Sequence, residues 1–138
     1  MSALIRWSLL IVCLVSGSAM ASGAIVVSPG AGLDSVADSA AARLFLGRSS
    51  EIDGVALKPI NQDEGQPIRE RFEQEVLGMT GARLRSHWSR LIFTGAGEPP
   101  EDVGGDDDVK AFVRDNPGAI GYINSASVDD SVTVVLEF

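Results

Sequence analysis

Reactive and metal-binding side chains are scarce in this sequence, which has one cysteine, Cys13, and one histidine, His87, among its 138 residues. A disulfide needs two cysteines, so the chain forms none within itself. Structural zinc sites draw on several Cys and His side chains, and a Ser-His-Asp arrangement would have to use His87 without an identifiable partner. We therefore predict no enzyme activity, no metal and no cofactor, and we expect His87 to lie on the surface or half-buried.

Basic residues are also few, with 11 Lys and Arg against 19 Asp and Glu and a formal net charge of −8. Such a surface repels nucleic acid and anionic lipid, so neither is an expected partner. The same field opposes the capture of a free anion unless local donors override it. The one local basic cluster is Arg83, Arg85 and Arg90, which we interpret as a solvated helix face paired with acids of neighbouring helices.

Long hydrophobic runs are absent except near the start, where an apolar stretch spans residues 7–15. Arg6 precedes it and Ala19-Met20-Ala21 follows it, which is typical of a signal peptide cleaved after Ala21. The stretch is shorter than the roughly 20 residues of a membrane span, so a retained anchor is the less favoured alternative. Lipidation at Cys13 would need a small residue before it, and Val12 is not one. We predict a signal peptide at 1–21, export to the periplasm, and a mature domain at 22–138 with a net charge of about −9 and no cysteine.

The first half of the mature chain alternates strand and helix patterns. Residues 24–28 are mostly β-branched and end at Pro29-Gly30, which predicts a strand and a turn. Asp34 or Ser35 is a candidate cap for a helix that ends at Gly47. Asp53-Gly54 predicts a tight turn before a second strand at 55–60.

Two further helices follow. Pro67 suits the first turn of a helix that carries Ile68, Phe72 and Val76 and stops at Gly78. Another helix begins near Gly81 and precedes a Gly- and Pro-rich loop at 94–105. We expect its buried stripe to contain Leu84, Trp88, Leu91 and Ile92.

Residues 106–123 encode a helix, a stop and a buried strand. Val109, Phe112 and Val113 form one apolar helical stripe, and Pro117 cannot extend that helix. Gly121 lies within the apolar strand, where glycine indicates the close approach of another backbone or a ligand. Asp106, Asp107 and Asp108 could hold a hard cation, but at a helix start we favour a dipole-stabilising cap. An alternating strand at 131–138 completes an α/β domain, and we expect a core of Phe45, Phe72, Trp88, Phe112 and Ile120.

The best ligand-site candidate is the helix start at 63–69, because helix N-termini present N–H groups that bind anions. Against it, Asp63 and Glu64 could occupy that end themselves as caps. The loop at 28–32 also lies between a strand and a helix. It does not match the phosphate-loop or dinucleotide motifs, and we interpret it as an ordinary turn.

Three segments in this order resemble phosphate-type periplasmic substrate-binding proteins of ABC transporters. Residues 42–48 (ARLFLGR) with Asp53-Gly54 resemble the family's IFxGK…W.DG segment. Residues 65–72 (GQPIRERF) resemble its SGTxxxF helix start, and residues 116–122 (NPGAIGY) resemble its NPGAIGY strand entry. The resemblance implies an α/β fold with a mixed sheet flanked by helices, in a single domain like one lobe of a type II periplasmic binding protein.

Two departures bear on function. Where the family has oxyanion-binding Ser, Thr and Arg side chains, this chain has Glu64, Gln66 and Ile60, so only the backbone of Gly65 is carried over. The family binds ligand between two lobes and this chain resembles one, so we expect weak binding or a need for a partner. The predicted site contains Gly65, Gln66, Pro67, Ile68 and Arg69, assisted by Thr94 and Gly95.

The resemblance implies an exported substrate-binding-like protein that binds phosphate or another small oxyanion in connection with ABC transport. The alternative is a periplasmic interaction module of the same fold that has lost ligand binding and docks a periplasmic or membrane protein. Glu64 and Ile60, at positions where the family has donors, favour the alternative.

Overall fold

A computed structural model describes residues 22–138, and the predicted signal peptide lies outside these residues. The strands are β1 Gly23–Val27, β2 Glu51–Ile52, β3 Val55–Ala56, β4 Lys58–Asn61, β5 Glu101–Asp102, β6 Ala119–Asn124 and β7 Thr133–Glu137. The helices are α1 Asp38–Phe45, α2 Pro67–Phe72, α3 Gly81–Thr94 and α4 Asp106–Asp115. A wider turn at Glu73–Leu77 continues α2, and a short 3₁₀ turn at Ser125–Ser127 follows β6.

Five strands form one mixed sheet in the order β5-β4-β6-β1-β7. Strand β4 runs parallel to β5 and β6, whereas β1 is antiparallel to β6 and β7. The remaining two strands form a small hairpin, in which Asp53 and Gly54 both adopt positive φ as the predicted tight turn requires. The predicted α/β class with helices around a mixed sheet is confirmed.

The alternation of β1 divides the core into two clusters, one on each face of the sheet. Ile25 and Val27 face a cluster that includes residues of α1 and α2, whereas Ala24 and Val26 face a cluster that includes residues of α4. In the first cluster the rings of Phe72 and Tyr122 are stacked with centroids 3.9 Å apart. Phe45 meets Phe72 edge to face at 4.8 Å. Aromatic packing of this kind adds to the energy of burial.

Three of the five expected core residues are buried, namely Phe45, Phe72 and Ile120. The expectation was wrong for Trp88 and Phe112, which are only partly buried. Trp88 lies over Gly47, where a β-carbon would come within 3.2 Å of its ring. Phe112 sits at the edge of the second cluster with the Lys58 ammonium 5.6 Å above its ring.

The start of α1 differs from the prediction because tertiary pairing extends the preceding segment. The Val36 N–H donates to the Val135 carbonyl at 2.9 Å, which ties residue 36 to β7. The helix therefore begins at Asp38 after Ala37, and neither Asp34 nor Ser35 caps it. The predicted strand at 55–60 is likewise divided between β3 and β4, because its two ends pair with different strands.

The predicted helix and strand at 106–123 are confirmed as α4 and β6. Gly121 allows α4 to approach the sheet, because a β-carbon there would lie 2.7 Å from Val109 Cγ1 and 3.0 Å from Ile60 Cγ1. The groups that lie close to Gly121 are thus side chains, whereas the sequence predicted another backbone or a ligand.

Candidate functional site

The turn before α2 presents backbone to solvent. Gly65 is exposed with φ of +87°, a backbone conformation that residues with a β-carbon rarely adopt. Among the described residues, a β-carbon there would meet nothing within 4 Å. The Gln66 N–H donates to the Asp63 carbonyl at 3.3 Å. Within residues 22–138 the Gly65 N–H makes no hydrogen bond, and no side chain caps the helix. Asp63 and Glu64 therefore do not cap α2, and the position of an anion at Gly65 is sterically open.

The Arg69 guanidinium, one turn into α2, is already enclosed by acceptors. Its Nη1 donates to the Gln62 carbonyl at 2.8 Å and to Asp102 Oδ1 at 3.1 Å, and its Nε donates to Glu73 Oε1 at 3.2 Å. Burial alone would lower the pKa of Arg69, but its hydrogen bond to Glu73 and the negative charge of Asp102 outweigh burial and raise the pKa. Both carboxylates lie within 3.2 Å of this cation, so they offset the attraction that it would exert on an incoming anion.

Between α2 and α3 lies a cleft of about 820 Å³, which we call the α2–α3 cleft. Its charged lining is mainly acidic, with Glu64, Glu70, Glu73 and Asp102 against Arg69 and Arg85. Its apolar lining consists of Phe45, Leu77, Leu84, Trp88, Ile92, Pro99 and Pro100. Apolar walls with a few charged groups are typical of binding sites, but the sign of these charges opposes an anion.

The structure brings only part of the predicted ligand site together. Gly65 and Arg69 line the α2–α3 cleft, whereas Gln66, Pro67 and Ile68 do not, and Ile68 is buried with 3% exposure. Thr94 and Gly95 lie at the far end of α3 and do not line the cleft. The Thr94 hydroxyl donates to the Arg90 carbonyl at 2.9 Å, as in an ordinary helix end.

Sequence reasoning missed the second wall of this cleft, which is formed by α3. The prediction of the buried stripe of α3 was wrong in part. The buried residues of this helix are Leu84 and His87, and Ile92 is 55% exposed. His87 is 6% exposed, so the expectation of a surface or half-buried ring was also wrong. Its Nε2 lies 2.8 Å from the Leu46 carbonyl, a partner that the sequence spacing does not indicate.

The opposite side of α3 bounds a second depression, which we call the basic depression. Its volume is about 330 Å³, and its lining consists of Arg48, Met79, Arg83, Ser86, His87 and Arg90. None of these residues is acidic. The two regions therefore differ in charge although one helix contributes to both.

The aspartates at the start of α4 have three different roles. Asp106 accepts hydrogen bonds from Gln62 Nε2 at 2.7 Å, Asn124 Nδ2 at 3.0 Å and Ser127 Oγ at 2.5 Å. Burial opposes its charge, but these hydrogen bonds outweigh burial and lower the pKa of Asp106. Asp108 accepts from the Gly105 N–H at 3.0 Å, and Asp107 is exposed. The predicted capping role thus holds for Asp108, while Asp106 joins α4 to β4 and β6.

No cluster of three or more His, Cys, Asp and Glu side chains suited to a metal is found in the part of the chain that the structure describes. Over the same residues, no helix combines the length and the apolar character needed to cross a membrane.

No family model and no curated protein matches this sequence. Solved structures do match in fold. An ABC-type phosphate transport receptor from Vibrio cholerae aligns with a TM-score of 0.67 and 20% identity, covering 83% of this chain and 46% of that one. A PstS protein from Borrelia burgdorferi aligns with a TM-score of 0.60 and 15% identity, covering 83% and 47%.

A third similar structure was solved with bound phosphate. It comes from a Clostridium perfringens protein described as a candidate phosphate ABC transporter substrate-binding protein, with a TM-score of 0.66, 19% identity, and 83% and 45% coverage. This chain therefore spans less than half the length of these proteins. The match confirms the expected fold, that of one lobe of a periplasmic binding protein.

Proposed function

We propose that this chain is an exported, non-catalytic binding module of the phosphate-type substrate-binding fold, which works in the periplasm in connection with ABC transport. Support comes from the solved structures of similar fold, which are binding proteins. The contact site is the α2–α3 cleft, where the Gly65 turn and the exposed side of α3 meet.

The first candidate ligand is phosphate or another small oxyanion at the Gly65 helix start. The open backbone at Gly65 and the neighbour with bound phosphate support it. Affinity is low because Glu64 and Glu70 line the same cleft and Arg69 is held by Glu73 and Asp102. A helix end carries only about half a unit charge, which does not offset several carboxylates. We expect a dissociation constant of about 1 mM or weaker.

The second candidate is the docking of a protein partner, and the enclosure of Arg69 favours it over the first. An acidic rim around Trp88, Ile92 and Pro100 complements a partner that presents lysine or arginine beside apolar side chains. Ile92 is 55% exposed and would be covered by such a partner. The single observation that favours the second candidate is that Arg69, four residues after Gly65, already has two carboxylate partners.

Phosphate titration by calorimetry tests the first candidate. Wild type should bind at millimolar levels or weaker, and the double substitution E64S/Q66T should strengthen binding by adding hydroxyl donors and removing a negative charge. Glu137→Ser, which removes one exposed charge outside the cleft lining, serves as the matched control. Micromolar binding by wild type, or no change in the double variant, would show that the oxyanion site is elsewhere.

Photo-crosslinking in cells tests the second candidate. A photoreactive residue at Ser89, which lines the cleft, should crosslink to one envelope protein whose crosslinked peptide contains lysine or arginine. Ile92→Asp should abolish this product, whereas Phe93→Asp should retain it because Phe93 is exposed but does not line the cleft. A product that survives I92D, or that forms on an acidic peptide, would contradict docking in the α2–α3 cleft.

Export is tested by the intact mass of protein from the cell envelope fraction. A mature chain beginning at Ser22 is expected from the Ala19-Met20-Ala21 pattern. Retention of residues 1–21, or a lipid on Cys13, would contradict this part of the proposal.

A further inference from the structure

The basic depression is distinct from the α2–α3 cleft because it uses the opposite side of α3. At 100° per residue, Arg83, Ser86, His87 and Arg90 share one face of the helix, whereas Leu84, Arg85, Trp88 and Ser89 share the other. Arg48 joins the first set from the turn after α1. The depression therefore collects cations from two separate elements.

The arginines of the basic depression are not neutralised by neighbouring acids. Across residues 22–138, none of Arg48, Arg83 and Arg90 forms an ion pair, whereas Arg69 forms two. In a chain with 19 acidic side chains, three arginines without an acidic partner around one concavity leave a local positive potential. A local positive potential of this kind is what the capture of an anion requires in a chain with a negative net charge.

The floor of the depression is held in place by the fold. His87 is buried, and its Nε2 donates to the Leu46 carbonyl at 2.8 Å, which fixes the ring against the end of α1. Ser86 and the exposed Arg83 and Arg90 lie beside it on the same helical face. The backbone of α3 from which Arg83 and Arg90 project is therefore fixed relative to α1, and less freedom is lost on binding a ligand than if these residues lay on a loose loop.

We infer that the basic depression binds a phosphate-bearing anion. Planar guanidinium forks match the oxygens of phosphate in paired hydrogen bonds, and a hydroxyl such as that of Ser86 can add a further donor. The volume of about 330 Å³ lies near the lower end of the range for small-molecule sites. Free phosphate and the phosphate of an anionic lipid head group share this chemistry, while the overall negative charge disfavours a long polyanion such as nucleic acid. This inference does not rest on the proposed use of the α2–α3 cleft.

Titration with inorganic phosphate, followed by NMR, locates the site. His87 is the one histidine in the sequence, so in tag-free protein its ring signals report directly on the basic depression. We expect these signals to shift and saturate with a dissociation constant on the order of 1 mM, and to respond less at high salt because exposed charges are screened. The R83Q/R90Q variant should weaken this binding by about tenfold or more.

A matched control separates local from general charge effects. The R43Q/R114Q variant also removes two exposed arginines, but neither lines the basic depression or the α2–α3 cleft, so its affinity should remain near that of wild type. The E64S/Q66T variant should leave the His87 shifts unchanged even if it creates binding in the cleft. Failure of the cleft proposal and failure of this inference are thereby distinguished.

Flotation with vesicles separates the two sources of phosphate. Phosphatidylglycerol vesicles, compared with phosphatidylcholine vesicles, should retain wild type but not R83Q/R90Q if the ligand is a lipid head group. Saturable phosphate binding without vesicle binding supports a free anion. If neither probe binds, or if R83Q/R90Q binds as well as wild type, the inference is overturned.

Discussion

Helices α3 and α4 differ in how much they contribute to the core, and the longer helix contributes less. The ten-residue α4 buries Val109 and Val113 completely and packs into the space left by Gly121. The fourteen-residue α3 has two buried residues, Leu84 and His87, and leaves Phe93 94% exposed. Helix α4 is thus part of the core, whereas most of α3 contributes surface.

The surface of α3 is divided by charge. One side faces the acidic and apolar α2–α3 cleft, and the other lines the basic depression. A helix that stabilises the fold through few contacts is free to carry residues selected for binding, because substitutions on its surface cost little stability. Substitutions that change stability but not binding, or binding but not stability, therefore test this difference between the helices.

The largest difference should come from two phenylalanines of opposite exposure. Phe72→Ala should lower the free energy of unfolding by about 3–5 kcal/mol, because it removes the ring stacked on Tyr122 and leaves a cavity. Phe93→Ala on α3 should change it by less than about 0.5 kcal/mol. Denaturant unfolding measures both, and equal midpoints for the two variants would contradict the assignment of Phe72 to the core.

Gly121→Ala should have the next largest effect on the free energy of unfolding. The added methyl would lie 2.7 Å from Val109 Cγ1, so α4 or its side chains must shift, at a cost of about 1–3 kcal/mol. Gly30→Ala is the control, since a β-carbon there meets nothing within 4 Å among residues 22–138. Similar unfolding free energies for both variants would show that α4 is not packed tightly on the sheet.

Asp106→Asn should lower the free energy of unfolding by about 1–3 kcal/mol at neutral pH. The amide nitrogen of asparagine would replace one of the carboxylate oxygens that accept hydrogen bonds from neighbouring donors. It should also flatten the acid dependence of stability. The pKa of Asp106 is lowered in the folded state, so its contribution is present above the unfolded value of about 3.9 and is lost as pH falls toward the folded value. Asp107→Asn, at an exposed side chain, should retain the wild-type pH profile.

The smallest effect on stability should come from the basic depression. R83Q/R90Q should change the free energy of unfolding by no more than about 0.5 kcal/mol, since both side chains are exposed and form no ion pair within the described residues. Its effect on phosphate binding should be large by comparison. A loss of stability above 1 kcal/mol would mean that these arginines have a structural role.

Local patterns were enough to predict the elements that carry their own signals. The unit of α4 and β6 was predicted with its stop at Pro117, because helix periodicity, proline and a short apolar strand agree there. The end of the α2 segment at Gly78 and the tight turn at Asp53-Gly54 were predicted for the same reason. The segments that resemble a known family supplied the fold, which the structural match confirms.

Other features depend on contacts between distant residues, which no local pattern contains. Helix α1 begins later in the chain than predicted, because the Val36 N–H is hydrogen-bonded to the Val135 carbonyl. His87 is more buried than predicted, and its ring is hydrogen-bonded to the Leu46 carbonyl of another element. For the candidate site, the Gly65 helix start and its acidic neighbours could be read from the sequence. The pairing of Arg69 with Asp102 could not, because Asp102 lies 33 positions away on strand β5.

The sequence by itself determined the helices and the longer strands β1, β6 and β7 to within a few residues, the net charge of the chain and the departures at Glu64 and Gln66, because these follow from residue types and their local order. Tertiary structure decided which residues of α3 are buried, which acids reach Arg69, and that Arg48 lines the same depression as Arg83 and Arg90. These outcomes depend on how a sheet with non-sequential strand order places its helices, and charge acts over distances in space and not along the chain.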